Sequence, residues 1–333
     1  MNIYEISEKA GVSIATVSRV LNGSSKVSEK TRQKILMVME ENNYQPNVFA
    51  RSLGLNTMKT IGILCADSSD VVLASAVYSI EQELRKNQYD ALLCCTGYDT
   101  DQKEKYLKLL LSKRVDALIL VGSNFVEASS EKNQYIIDAA KDVPVIILNG
   151  WLNAPNVYCA FCDDVEAMQR VTSCFLEKTE RILWLYRSES FGGRSKTKGI
   201  KQAYLLNGKE FPEQQSVLFN GSIEETKQML LERWNAGERW DVILTSDDEL
   251  AVGAYKFSRL AGLKVPEELQ IVGYNNSIPG ICCEPEITTI DNHLDYLGQN
   301  AVSMLMKVLN GEQIPTRTAA YADIIVRGTT KDL

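Results

Sequence analysis

The sequence predicts a small all-α head joined through a short hinge to an α/β core of two lobes. Three observations predict it. The first 46 residues hold three short amphipathic segments punctuated by turn signals. A six-residue segment that stops at a glycine follows them. From Thr60 onward, short apolar runs alternate with stretches of helical length, in seven or eight units. Such alternation means parallel sheets with helices on both faces, and that many units exceed one small sheet.

Asn2 is a candidate cap for a helix from Ile3 to Ala10, with Ile3, Ile6 and Ala10 facing inward. Gly11 closes it, and Ser13 can cap a second helix, because a serine hydroxyl accepts from an otherwise orphaned backbone N–H. Val12, Val17, Val20 and Leu21 form one apolar face of that region. Ile14, Ala15, Ser18, Arg19 and Asn22 fall on the other. This second face is small, polar and singly basic, with no acid. It fits a DNA major groove, where phosphates repel carboxylates and small side chains permit close approach. Read alone, it equally fits a solvated face of an ordinary amphipathic helix. Ser24-Ser25-Lys26 is a polar loop, and Ser28 caps a third helix from Glu29 to Asn42 with Ile35, Leu36, Val38 and Met39 as its apolar content. A three-helix core of this size is marginal.

Asn43-Tyr44-Gln45-Pro46-Asn47 is a turn. Asn47 to Leu53, followed by Gly54, is a cap, six residues of possible helix and a stop. Six residues do not hold a helix alone in water. The segment is either a linker or a helix that something else holds.

In the core, strands are expected at Ile61–Cys65, Ala91–Cys95, Ala117–Val121, Val143–Leu148, Ile182–Tyr186, Val242–Leu244 and Ile271–Tyr274. Helical stretches lie between most of them, at roughly 71–87, 101–113, 131–140, 163–177, 194–206, 222–236 and 247–261. The pattern divides into two doubly wound lobes near Tyr158. A helix at 292–310 and a last strand, Asp323–Val326, follow the second lobe.

Composition narrows the function. The 333 residues carry a net charge of −7, unevenly: +2 over residues 1–58 and −9 over the rest. A mildly basic head on an acidic body allows local phosphate contact. No apolar run approaches a membrane span of roughly 20 residues. The N-terminus lacks signal-peptide character, so a cytoplasmic protein without membrane contact is expected. Eight cysteines are too few for a disulfide scaffold. Cys159-Ala-Phe-Cys162 is a CxxC with no histidine near, so no metal site is assigned. No cofactor or catalytic residue is assigned either. The single histidine, His293, is the one possible base for a triad, and neither a Gly-x-Ser-x-Gly elbow nor a phosphate-binding Gly-x-x-x-x-Gly-Lys-Ser/Thr loop occurs.

The head segments GVSIATVSRVLNGSSKVSEKTRQKIL and NYQPNVFARSL match one family in order and spacing. So do TIGIL, LLLSKRVDALILVGS, VPVIILNG, VILTSDDELAVGAY, VPEELQIVGYNN and ITTID in the body. The chain resembles the LacI/GalR family of bacterial transcriptional regulators over essentially its full length. The resemblance implies a helix-turn-helix head (1–46), a hinge helix and linker (47–58), and a type I periplasmic-binding-protein-like core (59–333) that binds effector and dimerises. Within that core the N-lobe is expected at about 59–157 and 290–318, and the C-lobe at about 158–289 and 319–333. It implies a homodimer on near-palindromic operator DNA. Ile14, Ala15 and Arg19 match base-reading positions. Ser13, Thr16, Ser18, Asn22 and Tyr4 match phosphate or supporting positions. Asn47 is assigned to the DNA backbone, and Ala50 and Leu53 to a hinge in the minor groove, with Leu53 matching the leucine that wedges between base pairs. The implied activity is a sequence-specific regulator, a repressor controlled by a small ligand. Some relatives respond instead to a phosphorylated carrier protein, the alternative reading.

Ligands of two-lobed sheets sit at the carboxyl ends of strands. Those ends offer Asp67, Ser68, Asp70, Ser123, Asn149, Phe191, Arg194, Lys196, Asp247 and Asn275, with Phe219 as an aromatic face or a core residue. Carboxylates and amides suit sugar hydroxyls, so a small polar, carbohydrate-like effector is expected. Each of these residues also suits a helix cap. The chain departs from the family in four places. Asp70-Val71-Val72-Leu73 replaces an aromatic run, so an aromatic wall is missing. Lys196 stands where an arginine is usual, which puts a bidentate grip in doubt. Asn275 and Asp247 replace an aspartate and an asparagine.

Overall fold

The computed structural model describes residues 2–21, 25–44 and 57–331. Its head and its core are separate units. In the head, α1 (Ile3–Ala10) opens with a capping box. Asn2 Oδ1 accepts from the amides of Tyr4 (3.0 Å) and Glu5 (3.1 Å), and Glu5 Oε2 accepts from the Asn2 amide at 3.0 Å. Gly11 ends the helix at φ +63°, a left-handed conformation that costs glycine little. Ser13 Oγ accepts from the Thr16 amide at 3.2 Å and opens α2 (Ile14–Leu21). Ser28 does the same for α3 (Glu29–Glu41) through the Thr31 amide. Ile6, Ala10, Val17, Val20, Ile35 and Met39 form the shared core, with Ile3, Val12, Leu21 and Val38 packed at its margin. Leu36, expected among the apolar content of α3, is 49% exposed. One residue past Ile35 turns the side chain by about 100° around the helix, off the core face.

The core begins with β1 (Thr60–Cys65), α4 (Val71–Lys86), β2 (Asp90–Cys95), α5 (Thr100–Ser112), β3 (Ala117–Val121), α6 (Gln134–Ala139), β4 (Val145–Leu148) and β5 (Val157–Cys162). It continues through α7 (Asp164–Leu176), β6 (Ile182–Tyr186), α8 (Phe191–Leu206), β7 (Ser216–Leu218), α9 (Ile223–Asn235), β8 (Val242–Thr245), α10 (Asp248–Leu260) and β9 (Gln270–Tyr274). It ends with α11 (Ile278–Ile281), β10 (Thr288–Asp291), α12 (Leu294–Leu309), β11 (Arg317–Ala320) and β12 (Asp323–Ile325). One sheet has the order β11-β5-β4-β3-β1-β2 and the other β12-β10-β9-β8-β6-β7. The β10–β12 pair is antiparallel, while pairs such as β3–β4 and β8–β9 are parallel. Every residue of β3, β4, β6 and β8 is buried, as strands covered by helices on both faces require.

The chain crosses between lobes after Cys162, not near Tyr158. Val157–Cys162 belongs wholly to the first sheet, paired in register with β4 (Val145↔Val157) and β11 (Arg317↔Cys159). Tyr158 and two cysteines interrupt the aliphatic pattern of this strand and hide it. Cys159 and Cys162, three residues apart on a strand, point to opposite faces and are both buried. The return crossings follow Asp291 and Ala320, close to the expected divisions at 289/290 and 318/319. Among the described residues, no helix is long and apolar enough to cross a membrane.

Candidate functional site

On the head, the polar face of α2 is open. Ser13, Ile14, Ala15 and Arg19 are exposed, and Thr16 and Ser18 half-buried, while Val17 and Val20 hold the helix to the core. The first turn has no acidic residue, so the positive end of the helix dipole is uncompensated. Tyr4, at the start of α1, is 67% exposed. Arg19 makes no ion pair among the described residues. Ile14 at 39% exposure is an aliphatic side chain presented to solvent at a helix start, where no packing explains it. Asn22, Asn47, Ala50 and Leu53 lie outside the described residues.

In the core, the carboxyl ends of both sheets face a cavity of about 380 Å³. Asp70, Ser123, Asn149, Lys196, Asp247 and Asn275 line it. Asp70 caps α4, its Oδ1 accepting from the amides of Val72 and Leu73. Asn149 sits at φ +59° with its buried Oδ1 unpartnered, and Asn275 at φ +89° accepts from Asn292 Nδ2 at 3.1 Å. Asp67, Ser68, Phe191, Arg194 and Phe219 are not part of the lining. Asp67 folds back on Ser69, whose amide and hydroxyl hold its carboxyl below the usual range. Phe191 stands edge-on to Phe161 with centroids 6.1 Å apart. Arg194 donates to the carbonyls of Glu189 and Val126. Phe219 packs into the apolar cluster of the second lobe.

Ser123 lines the cavity but also joins the lobes. Its carbonyl accepts from the Phe191 amide at 3.1 Å, and its hydroxyl lies 3.0 Å from that of Ser190. This close approach depends on glycine. A Cβ at Gly192 would fall 3.0 Å from the Ser123 hydroxyl oxygen and 3.2 Å from the Ser123 Cβ.

The cations of the cavity are engaged from within. Lys196 is buried, donates to the Ser246 carbonyl at 2.8 Å, and lies 3.5 Å above the Tyr274 ring. Burial pushes its pKa down, against the opposing charges of Asp164 and Asp247. Asp164 is buried beside it, accepts from the Tyr274 hydroxyl at 2.6 Å, and leaves Oδ2 unpartnered. Burial pushes its carboxyl up, against the charge of Lys196.

Arg187 and Tyr98 also line the cavity, and neither is among the residues expected there. Arg187 directly follows β6, so the strand-end rule that gives Asp247 could have found it. Its planar guanidinium supplies the geometry that Lys196 lacks. It is already engaged: Nε and Nη2 reach the two Asp247 oxygens (2.8 and 3.1 Å), Nη2 reaches Glu249 (2.9 Å), and Nη1 reaches the Gly221 carbonyl (2.8 Å). Tyr98 follows β2 and is 59% exposed, so the aromatic wall comes from a different strand end than the one expected to carry it. Asp248 lines the cavity as a structural knot. It accepts from the Thr289 hydroxyl (2.6 Å), the Ser277 amide (2.6 Å) and the Ser277 hydroxyl (2.8 Å).

Comparison with known proteins matches both halves. The family model described as bacterial regulatory proteins, lacI family, covers residues 2–47. The family model described as periplasmic binding proteins and sugar binding domain of LacI family covers residues 58–326. An HTH-type transcriptional regulator of Lachnoclostridium phytofermentans is 50% identical over 99% of both chains. Catabolite control protein A of Staphylococcus aureus is 28% identical, also over 99% of both chains. The crystal structure of the Lac repressor dimer bound to operator and the anti-inducer ONPF aligns over 99% of both chains, with a TM-score of 0.87 at 24% identity.

Proposed function

Given that this chain belongs to the LacI family and is a DNA-binding transcriptional regulator, we propose that it is a homodimeric repressor controlled by a small, carbohydrate-like effector. The observation that carries the DNA half is the exposed, acid-free face of α2, held on a capped three-helix core. In this reading α2 enters the major groove. Ile14 and Ala15 touch thymine methyls, and Arg19 makes the bidentate guanine contact. Ser13, Thr16, Ser18, Asn22, Tyr4 and Asn47 support or hold phosphate, and Ala50 and Leu53 enter the minor groove. A two-fold dimer presents two such helices, so the operator is a near-palindrome.

The cavity at the carboxyl ends of the strands is the effector site, with Asp70, Ser123, Asn149, Lys196, Asp247 and Asn275 among its contacts. A ligand that prefers one arrangement of the lobes shifts that equilibrium and, through the hinge, the affinity of the paired heads. Couplings of this kind are typically about 1–3 kcal/mol. Footprinting of the purified protein across the promoter of its own gene and of the neighbouring genes tests the reading. A protected near-palindrome is expected. Uniform, sequence-independent coverage would overturn it.

A further inference from the structure

The charges around the cavity are unbalanced, and the imbalance selects the ligand. Four carboxylates (Asp70, Asp247, Asp248, Glu249) and two cations (Arg187, Lys196) line it among the described residues. Both cations are already held by the protein, Arg187 by Asp247, Glu249 and a carbonyl, Lys196 by a carbonyl and the Tyr274 ring. Asp248 is enclosed by Thr289 and Ser277. Asp247 and Glu249 thus share one arginine, and Asp70 on the first lobe, which caps α4, makes no ion pair among the described residues, so Asp70 and the excess charge at Glu249 on the second lobe are what a ligand meets. They act on each other: burial raises the Glu249 carboxyl above its ordinary value against the charge of Arg187, and the negative charges of Asp247 and Asp70 add to that rise. Tyr98 joins them. Burial, Asp70 and Asp67 raise its pKa, so its ring borders the same negative field.

An aromatic face beside carboxylates suits a polyol ring or an ammonium group. It does not suit a phosphate or a carboxylate, because no uncommitted cation stands among the described lining residues to receive one. Resting on the reading of this cavity as the effector site, we infer that the effector is an uncharged or ammonium-bearing polyol, and that phosphorylated sugars and sugar acids are excluded. The carboxylates that do the excluding are Asp70 and Glu249. At short range in a partly enclosed site, each disfavours an added negative charge by about tenfold in affinity.

The test is calorimetric titration of the full chain with glucose, galactose, mannose and cellobiose, and with the 2-amino, 6-phosphate and uronic-acid forms of the three monosaccharides. The expected result is binding within the neutral and amino members, with each acidic form at least about tenfold weaker than its neutral parent. The double variant Asp70→Asn/Glu249→Gln, which keeps the α4 cap and the side-chain shapes and leaves Arg187 paired with Asp247, should remove most of that gap in a protein that stays folded. A phosphate or uronic acid that binds more tightly than its parent overturns the inference and leaves the effector reading standing. So does a gap unchanged in a folded double variant. If no member of the panel binds while footprinted operator binding persists, the small-ligand reading of the cavity falls, and this inference falls with it.

Discussion

The face of α2 and the wall of the core cavity are both rich in polar side chains, but they are built in opposite ways. On α2, Ser13, Ile14, Ala15 and Arg19 are exposed on a helix whose stability comes from its other side. In the cavity, Arg187, Lys196 and Asp248 each already have several partners. Ile14, Ala15 and Arg19 can therefore be changed one at a time with little effect on folding, whereas cavity residues form a network in which one change leaves others unsatisfied. The first surface suits sequence readout, which is tuned residue by residue. The second suits a conformational response.

Four measurements put this contrast at risk. The largest effect is expected at Asp248. Asp248→Ala leaves the Thr289 hydroxyl and both Ser277 donors without their acceptor, at a cost of about 3 kcal/mol in urea denaturation. A cost under about 1 kcal/mol would show that the network relaxes freely. Next is Arg187→Ala, which strands Asp247 and the half-exposed Glu249. Solvent screens part of that loss, so about 2 kcal/mol is expected from the same measurement.

The third is a pH effect. Burial raises the Asp164 carboxyl above its ordinary 3.8, so the folded chain keeps that proton to higher pH than the unfolded chain does. The resulting stability is complete below pH 3.8 and is lost as pH rises through the elevated value. One such proton makes stability fall by up to about 1.4 kcal/mol per pH unit across that window. Asp164→Asn should remove this decline above about pH 4, read from urea midpoints between about pH 4.5 and 7. An unchanged slope would contradict the burial argument. The smallest effect is in the head, where Asn2→Ala removes the capping box of α1 and costs about 1 kcal/mol locally, read as faster amide exchange in that helix.

Much of the fold is legible in the sequence because the physics is local. Asn2, Ser13 and Ser28 as caps, Gly11 as a left-handed stop, and Val17 and Val20 as the buried face all follow from spacing and residue type. The aliphatic strands, such as Ala117–Val121, are legible for the same reason. Val157–Cys162 is not, because its tyrosine and cysteines resemble a motif more than a strand. The cavity is half legible. The strand-end rule locates Asp70, Ser123, Asn149 and Asp247, but it gives position along the chain and not direction. It therefore cannot tell that Phe219 turns into the core or that Asp67 folds onto Ser69. Pairings such as Arg187 with Asp247, 60 residues apart, have no local signal.

Whether α2 reads sequence is decided by Arg19→Ala. Fluorescence anisotropy would compare the wild-type protein and the variant on the footprinted operator and on random duplex at one salt concentration. An unchanged melting temperature is expected, with a loss of at least about tenfold in operator affinity and a nearly constant affinity for random duplex. Equal weakening on both duplexes would contradict sequence readout by α2, and would make Arg19 a phosphate contact alone.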